Sequence, residues 1–197
     1  MSAAKERPVL FAGSMVRALL EDRKGQTRRV MKEQPTANGP FWFGMGCSWA
    51  AGEQLPGLLA QCPYGQPGDR LVVRETWRTA KSLDAMSPVQ IAKKATEAGY
   101  NEPWAPIKYE ADGHEVNWSR EWGNWGKTRV SIHMPRWASR LTLEVTEVKV
   151  DFGPVSLDDA IKEGFSSPEE FAALYEKING AGSLNLWRWA VSFRRLP

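Results

Sequence analysis

The sequence predicts one α+β domain in which strands close into a small barrel, with flanking helices and two irregular insertions. Three observations lead there. A helical segment lies near the start, strands dominate the middle, and two capped helices precede a closing strand. That order suits an α+β barrel and does not suit a doubly wound sheet. With 197 residues, the chain is long enough for one domain with a core of its own.

Residues 14–23 place Met15, Val16, Leu19 and Leu20 on one helical face, with Ser14 as the expected N-cap. Gly25 is expected to end that helix in a left-handed conformation, and residues 27–31 to leave as a strand. Pro67-Gly68-Asp69 reads as a turn into a strand over 70–76, with Leu71 and Val73 on one face. Residues 34–66 and 79–130 read as the two insertions. The second holds an expected helix over 88–98 and a Trp-rich tract with Trp118, Trp122 and Trp125.

Leu141, Leu143, Val145, Val148 and Val150 mark the clearest strand. Ser156 opens a helix whose first turn holds Asp158 and Asp159, which suits the helix dipole. Ser167 caps a second helix, with Pro168 at its first position and Glu170 at the capping-box position. Phe171, Leu174, Tyr175 and Ile178 form its expected buried face. The strand over 187–193 puts Trp187, Trp189, Val191 and Phe193 on one side.

The composition is that of an ordinary globular chain, 42% hydrophobic and 25% charged. A net charge of +3 does not by itself suggest tight binding to long nucleic acid. The cations are unevenly spread, with Arg23, Lys24, Arg28 and Arg29 close together. Ten Trp residues can anchor irregular loops or stack on planar ligands. No run of 18 apolar residues is present, so no membrane span or membrane partner is expected. The first residues lack a secretory pattern, and Cys47 and Cys62 make no disulfide framework. The expected compartment is therefore the cytoplasm.

Three groups of residues can carry chemistry. Lys24, Thr27 and Arg29 lie where a helix gives way to a strand; a lysine among cations in a partly apolar place loses its proton more readily and can serve as a base toward a hydroxyl. The same run equally reads as a cationic helix end followed by a β-branched strand residue. Glu75 and Trp77 form the second group, as a base-reading wall or as a surface carboxylate and a core ring. His133, Arg136, Trp137 and Arg140 form the third, cations around an aromatic. Cys47, Cys62, His114 and His133 lack the spacing of a common zinc site, so neither metal nor cofactor is expected.

The stretch from Val9-Leu10-Phe11 to Arg29, with Leu20, Lys24 and Arg29, resembles the signature of the ASCH domain family of the PUA-like superfamily. The run Pro67 to Glu75 resembles that family's Gly-Asp turn and following strand, residues 156–165 its later helix, and residues 187–194 its closing strand. Residues 131–140 are similar to an ASCH subgroup common in bacteriophage and prophage genomes. One position departs: Asp22 stands where the family has Gly, with Gly25 expected to supply the turn one step later.

The resemblance implies a PUA-like barrel that binds RNA, modified nucleic acid or a nucleoside around Lys24, Thr27 and Arg29. Arg28, Glu75, Trp77, Arg136 and Trp137 are the further ligand-binding candidates. More distantly, the chain is similar to hydrolases of the N4-acetylcytidine amide. That likeness implies Thr27 as nucleophile, Lys24 as its base and Glu163 holding the base or passing a proton to the leaving amine. An ASCH-like ribonuclease is a third reading, against which stands the lack of a carboxylate pair among the matched residues.

Overall fold

The computed structural model describes residues 3–34, 55–113 and 124–197. Cys47, His114, Trp118 and Trp122 lie outside the described residues, as does most of the first insertion. The fold is α+β with a mixed sheet. Its strands are β1 (Glu6–Leu10), β2 (Gln26–Val30), β3 (Arg70–Arg74), β4 (Trp77–Thr79), β5 (Ile107–Tyr109), β6 (Thr142–Asp151) and β7 (Arg188–Arg195). Its helices, among the described residues, are α1 (Gly13–Leu20), α2 (Leu55–Leu59), α3 (Pro88–Glu97), α4 (Leu157–Lys162) and α5 (Pro168–Asn179). The strand order is β1-β3-β6-β7-β2, and β4 pairs separately with β5. No helix of the described residues is long and apolar enough to cross a membrane.

The chain divides into two compact units, one of Met1–Arg7, Glu21–Leu71 and Leu143–Leu196, the other of Pro8–Leu20 and Val72–Thr142 with Pro197. In the first unit β7 pairs antiparallel with both β2 and β6. Strand alternation then divides the side chains. Gln26, Arg28 and Val30 share a face with Arg188 and Ala190; Thr27 and Arg29 share the opposite, apolar face with Val191 and Trp189. A bulge between Val145 and Glu147 changes the parity of β6, so Val145 and Val148 both sit buried and Asp151 comes opposite Arg188. The turn before β3 is held by Asp69, whose carboxylate accepts from the backbone N–H of Lys5 and of Gln66. Those bonds, the Lys5 one foremost, keep its carboxyl below the usual carboxylate range.

In the second unit α1 precedes a 3-10 turn at Glu110–Asp112, and Arg17 donates to the carbonyl of Ala111. The helix α3 starts with a complete capping box between Ser87 and Gln90 and has Pro88 in its first turn. Trp77 sits in a core with Met134 and Ala138.

Several local expectations are corrected. Ser14 lies inside α1, whose first bond runs from Val16 N–H to the carbonyl of Ala12. Gly25 is not left-handed; that conformation belongs to Asp22, at φ 54°. Ile178 is exposed, because α5 buries only its Phe171–Tyr175 side. The second insertion holds the expected helix, as α3, and in addition a strand, β5, that was not expected.

Candidate functional site

The site starts from the end of α4. Ser156 caps this helix by accepting from the N–H of Asp159, and Glu163 is the C-cap residue that follows Lys162. Gly164 follows at φ +89°, a backbone state that favours glycine. The N–H of Gly164 bonds the carbonyl of Ile161, and that of Phe165 bonds the carbonyl of Ala160. This pair of bonds is the Schellman ending of a helix, and Phe165 completes it by packing on Ala160 and Phe171. The run Glu163-Gly164-Phe165 therefore fixes where the Glu163 carboxylate emerges.

Gly25 brings Lys24 to the same place. Its N–H bonds the carbonyl of Lys162 at 2.8 Å and its carbonyl accepts from Phe193 N–H at 2.9 Å. Lys24 then donates to the Glu163 carbonyl at 2.9 Å and to Glu163 Oε2 at 2.7 Å. The side chains are 0% and 3% exposed respectively. A cation thus answers an orphan carbonyl at a helix C-terminus and a buried carboxylate at once. Burial pushes the Lys24 ammonium below its ordinary range; the charge and hydrogen bond of Glu163 oppose this, and Arg29 and Arg28 add to the depression.

Arg28 meets the other side of Glu163. Its Nη1 lies 3.3 Å from Glu163 Oε1, its Nη2 2.9 Å from Asp159 Oδ2, and its Nε 2.5 Å from Asp151 Oδ2. Arg188, wholly buried, lies 3.0 Å from the same Asp151 oxygen as an ion pair and donates to the carbonyl of Gly153. The Tyr175 hydroxyl lies buried here, pushed up to about 12 by burial. Arg28 thus stands inside a socket of carboxylates, away from the ligand role expected of it.

Thr27 is buried and Arg29 half-buried, both on the apolar face of β2. The structure therefore joins Lys24 to Glu163, across 139 positions, and leaves Thr27 close by in sequence on the adjoining strand. Sequence reasoning missed Asp151, Asp159 and Arg188. Their signal was present: the apolar positions of β6 switch from odd to even between Val145 and Val148, which marks the bulge that sets Asp151 opposite Arg188.

The remaining candidates lie in the other unit. Glu75 is clamped by Arg140, with Nε to Oε1 at 2.9 Å and Nη2 to Oε2 at 3.1 Å, and Arg140 also holds Asp112. Burial pushes the Glu75 carboxyl up, and Arg140 opposes it. Arg140 lies 4.0 Å over the Tyr109 ring. Trp77 is 0% exposed, with the Trp137 ring edge-on at 6.0 Å and the Arg129 guanidinium 5.5 Å from its ring centre. It is a core ring with no face offered to a ligand. Arg136 and His133 are exposed, and Trp137 is half-buried. Cys62 is buried, and no cluster of metal-binding side chains occurs among the described residues.

Comparison with protein-family models, with curated proteins and with solved structures returned no match to this chain.

Proposed function

We propose that the chain is an ASCH-type, PUA-like barrel domain that takes up a nucleoside, or a modified base in RNA, beside Lys24, Thr27 and Arg29 and hydrolyses its N-acyl amide. The observation that carries this reading is the buried Lys24–Glu163 pair, 2.7 Å apart. A lysine held below its ordinary range by burial, with two neighbouring arginines adding to the effect, suits the work of a base. The carboxylate that fixes its orientation is itself fixed by a helix ending.

In the reaction so proposed, Thr27 Oγ bonds to the acyl carbon while its proton passes to Lys24 Nζ. Collapse of the tetrahedral intermediate breaks the C–N bond, and the proton moves from Lys24 to the departing exocyclic nitrogen. Water then attacks the threonyl ester, releasing the carboxylic acid and restoring the Thr27 hydroxyl. Arg29, on the face it shares with Thr27, supplies donors to the developing oxyanion or to a phosphate.

The test is deacylation of N4-acetylcytidine and related acylated nucleosides by the full chain. Turnover that Lys24→Ala and Thr27→Ala each abolish is expected; no turnover, or turnover indifferent to both, sinks the hydrolase reading.

A second reading, recognition of RNA without chemistry, draws on exposed Arg136 and His133 beside half-buried Trp137. Titration of labelled RNA and DNA at two salt concentrations, with Arg29→Ala and Arg136→Ala, measures it. Binding lost in Arg136→Ala, without deacylation by the parent chain, favours that alternative.

A further inference from the structure

The guanidinium of Arg28 has a carboxylate at each of its three nitrogens. It touches carboxylates from three places in the chain: Asp151 at the end of β6, Asp159 in the first turn of α4, and Glu163 at that helix's C-cap. The aromatic ring of Phe171, from α5, lies 5.9 Å from its centre. Its side chain is 3% exposed. A guanidinium so enclosed, with all three nitrogens directed at carboxylates, has no free edge for a nucleic acid or nucleoside.

Its contact with Glu163 is the telling one. The two oxygens of that carboxylate are divided: Oε1 faces Arg28 and Oε2 faces Lys24. Asp151 and Asp159 hold the guanidinium from the other directions, so its position is set without help from Glu163. The carboxylate is the part that must adapt. We propose that Arg28 is a positioning residue, which holds Glu163 by one oxygen so that the other is presented to Lys24 in a fixed orientation. This rests on the hydrolase reading for its catalytic meaning, and on the geometry alone for its structural meaning.

The charges around this group are Asp159 and Lys162 on α4, Glu163 at its C-cap, Asp151 on β6, Arg188 on β7, and Arg28 and Arg29 on β2, with the Tyr175 hydroxyl on α5. They give the proposal a sign. Arg28→Gln removes a cation near Lys24 and frees Glu163 to pair with it fully, so Lys24 keeps its proton to higher pH. Asp159→Asn removes a half-exposed carboxylate that competes for Arg28, so Arg28 draws more strongly on Glu163 and Lys24 gives up its proton at lower pH.

The experiment follows the Lys24 side-chain nitrogen by NMR in the 15N-labelled full chain, beside the pH profile of N4-acetylcytidine deacylation. The expected midpoint rises by about one pH unit in Arg28→Gln and falls by a few tenths in Asp159→Asn, as opposed changes of a nearby charge require. The acidic limb of the rate profile moves the same way in each variant, and turnover at saturation falls more than KM changes. Should Arg28→Gln fail to fold, the Asp159→Asn shift decides alone. A Lys24 midpoint unmoved in every folded variant overturns the proposal, whether or not the chain deacylates. Opposed midpoint shifts in a chain with no deacylase activity uphold Arg28 as the positioning residue and overturn the hydrolase reading instead.

Discussion

Lys24 Nζ and Glu163 Oε2 meet at 2.7 Å with their side chains almost wholly out of solvent, although 139 positions separate them in the chain. Two backbone devices make that possible, the Gly25 bond to Lys162 and the Schellman ending at Gly164. Neither charge is stable there alone. Desolvation of one ion without its partner outweighs what the pair gains together.

Removing one partner is therefore expected to cost far more than a surface ion pair would. Glu163→Gln leaves a buried ammonium and should lower stability by about 3–5 kcal/mol. Lys24→Met leaves the carboxylate with Arg28 and should cost somewhat less. The double variant should be more stable than the sum of the two predicts, with a coupling of about 1–3 kcal/mol. Urea unfolding of the four proteins checks this; additive losses would show that the two groups are independent.

The pH dependence of stability has a definite sign. Folded Lys24 binds its proton less tightly than the unfolded chain, where a lysine has its ordinary 10.5. Between the lowered folded midpoint and 10.5 the unfolded state therefore holds more protons, and stability rises with pH. Below that window the penalty is constant. Tyr175 works in the opposite sense above 10, because its hydroxyl is held up to about 12 and the unfolded tyrosine ionises first. The expected result is that Lys24→Met loses the alkaline rise that the parent shows. The difference between the two curves, from neutral pH to 10.5, isolates Lys24 because the tyrosines are common to both. Parallel curves would refute the depressed midpoint.

Gly164 offers a test that touches neither charge. At φ +89° a side chain is strained, so Gly164→Ala should cost roughly 1–2 kcal/mol and loosen the Schellman bonds. Because Glu163 takes its position from that ending, the variant should also lose deacylase turnover well beyond what its stability explains. Thermal unfolding and turnover below the transition, measured together, separate the two effects.

Much of this was legible in the sequence because it rests on local rules. Ser156 and Ser167 cap helices where their positions before acidic first turns predict it. The odd-numbered apolar residues of β7 share one face, as alternation requires. Lys24 is a candidate on residue chemistry and Glu163 only through the resemblance, and their meeting depends on long-range packing that no periodicity reports. Trp77 illustrates the opposite limit: a Trp beside a Glu suits a stacking wall and a core equally in sequence, and only burial under Met134 and Trp137 separates them. Arg28 could not be told from Arg29 by composition. Strand parity divides them, sending one into a carboxylate socket and the other to the apolar face.

Asp22, and not Gly25, holds the left-handed turn that follows α1. The residue after α1 and Glu21 sits at φ 54°, in the left-handed region where glycine carries no penalty. Asp is among the few other residues that enter this region readily, since its short polar side chain can hydrogen-bond locally. Here its carboxylate takes the guanidinium of Arg195 at 3.0 Å, an exposed pair that contributes little. The left-handed turn thus lies at Asp22, and Gly25 has a different task. Its backbone lies outside the left-handed region, and an added Cβ would meet only the Phe193 carbonyl at an ordinary 3.7 Å. Opposite outcomes are expected from the two sites. Asp22→Val should destabilise by about 1–3 kcal/mol, since a β-branched side chain is poorly tolerated there. Asp22→Gly should be neutral or stabilising within about 1 kcal/mol. Gly25→Ala should hold or gain by about 0.4–1 kcal/mol through the unfolded state. Chemical denaturation of the three variants decides it: a Gly25→Ala loss larger than that of Asp22→Val would place the turn at Gly25 after all.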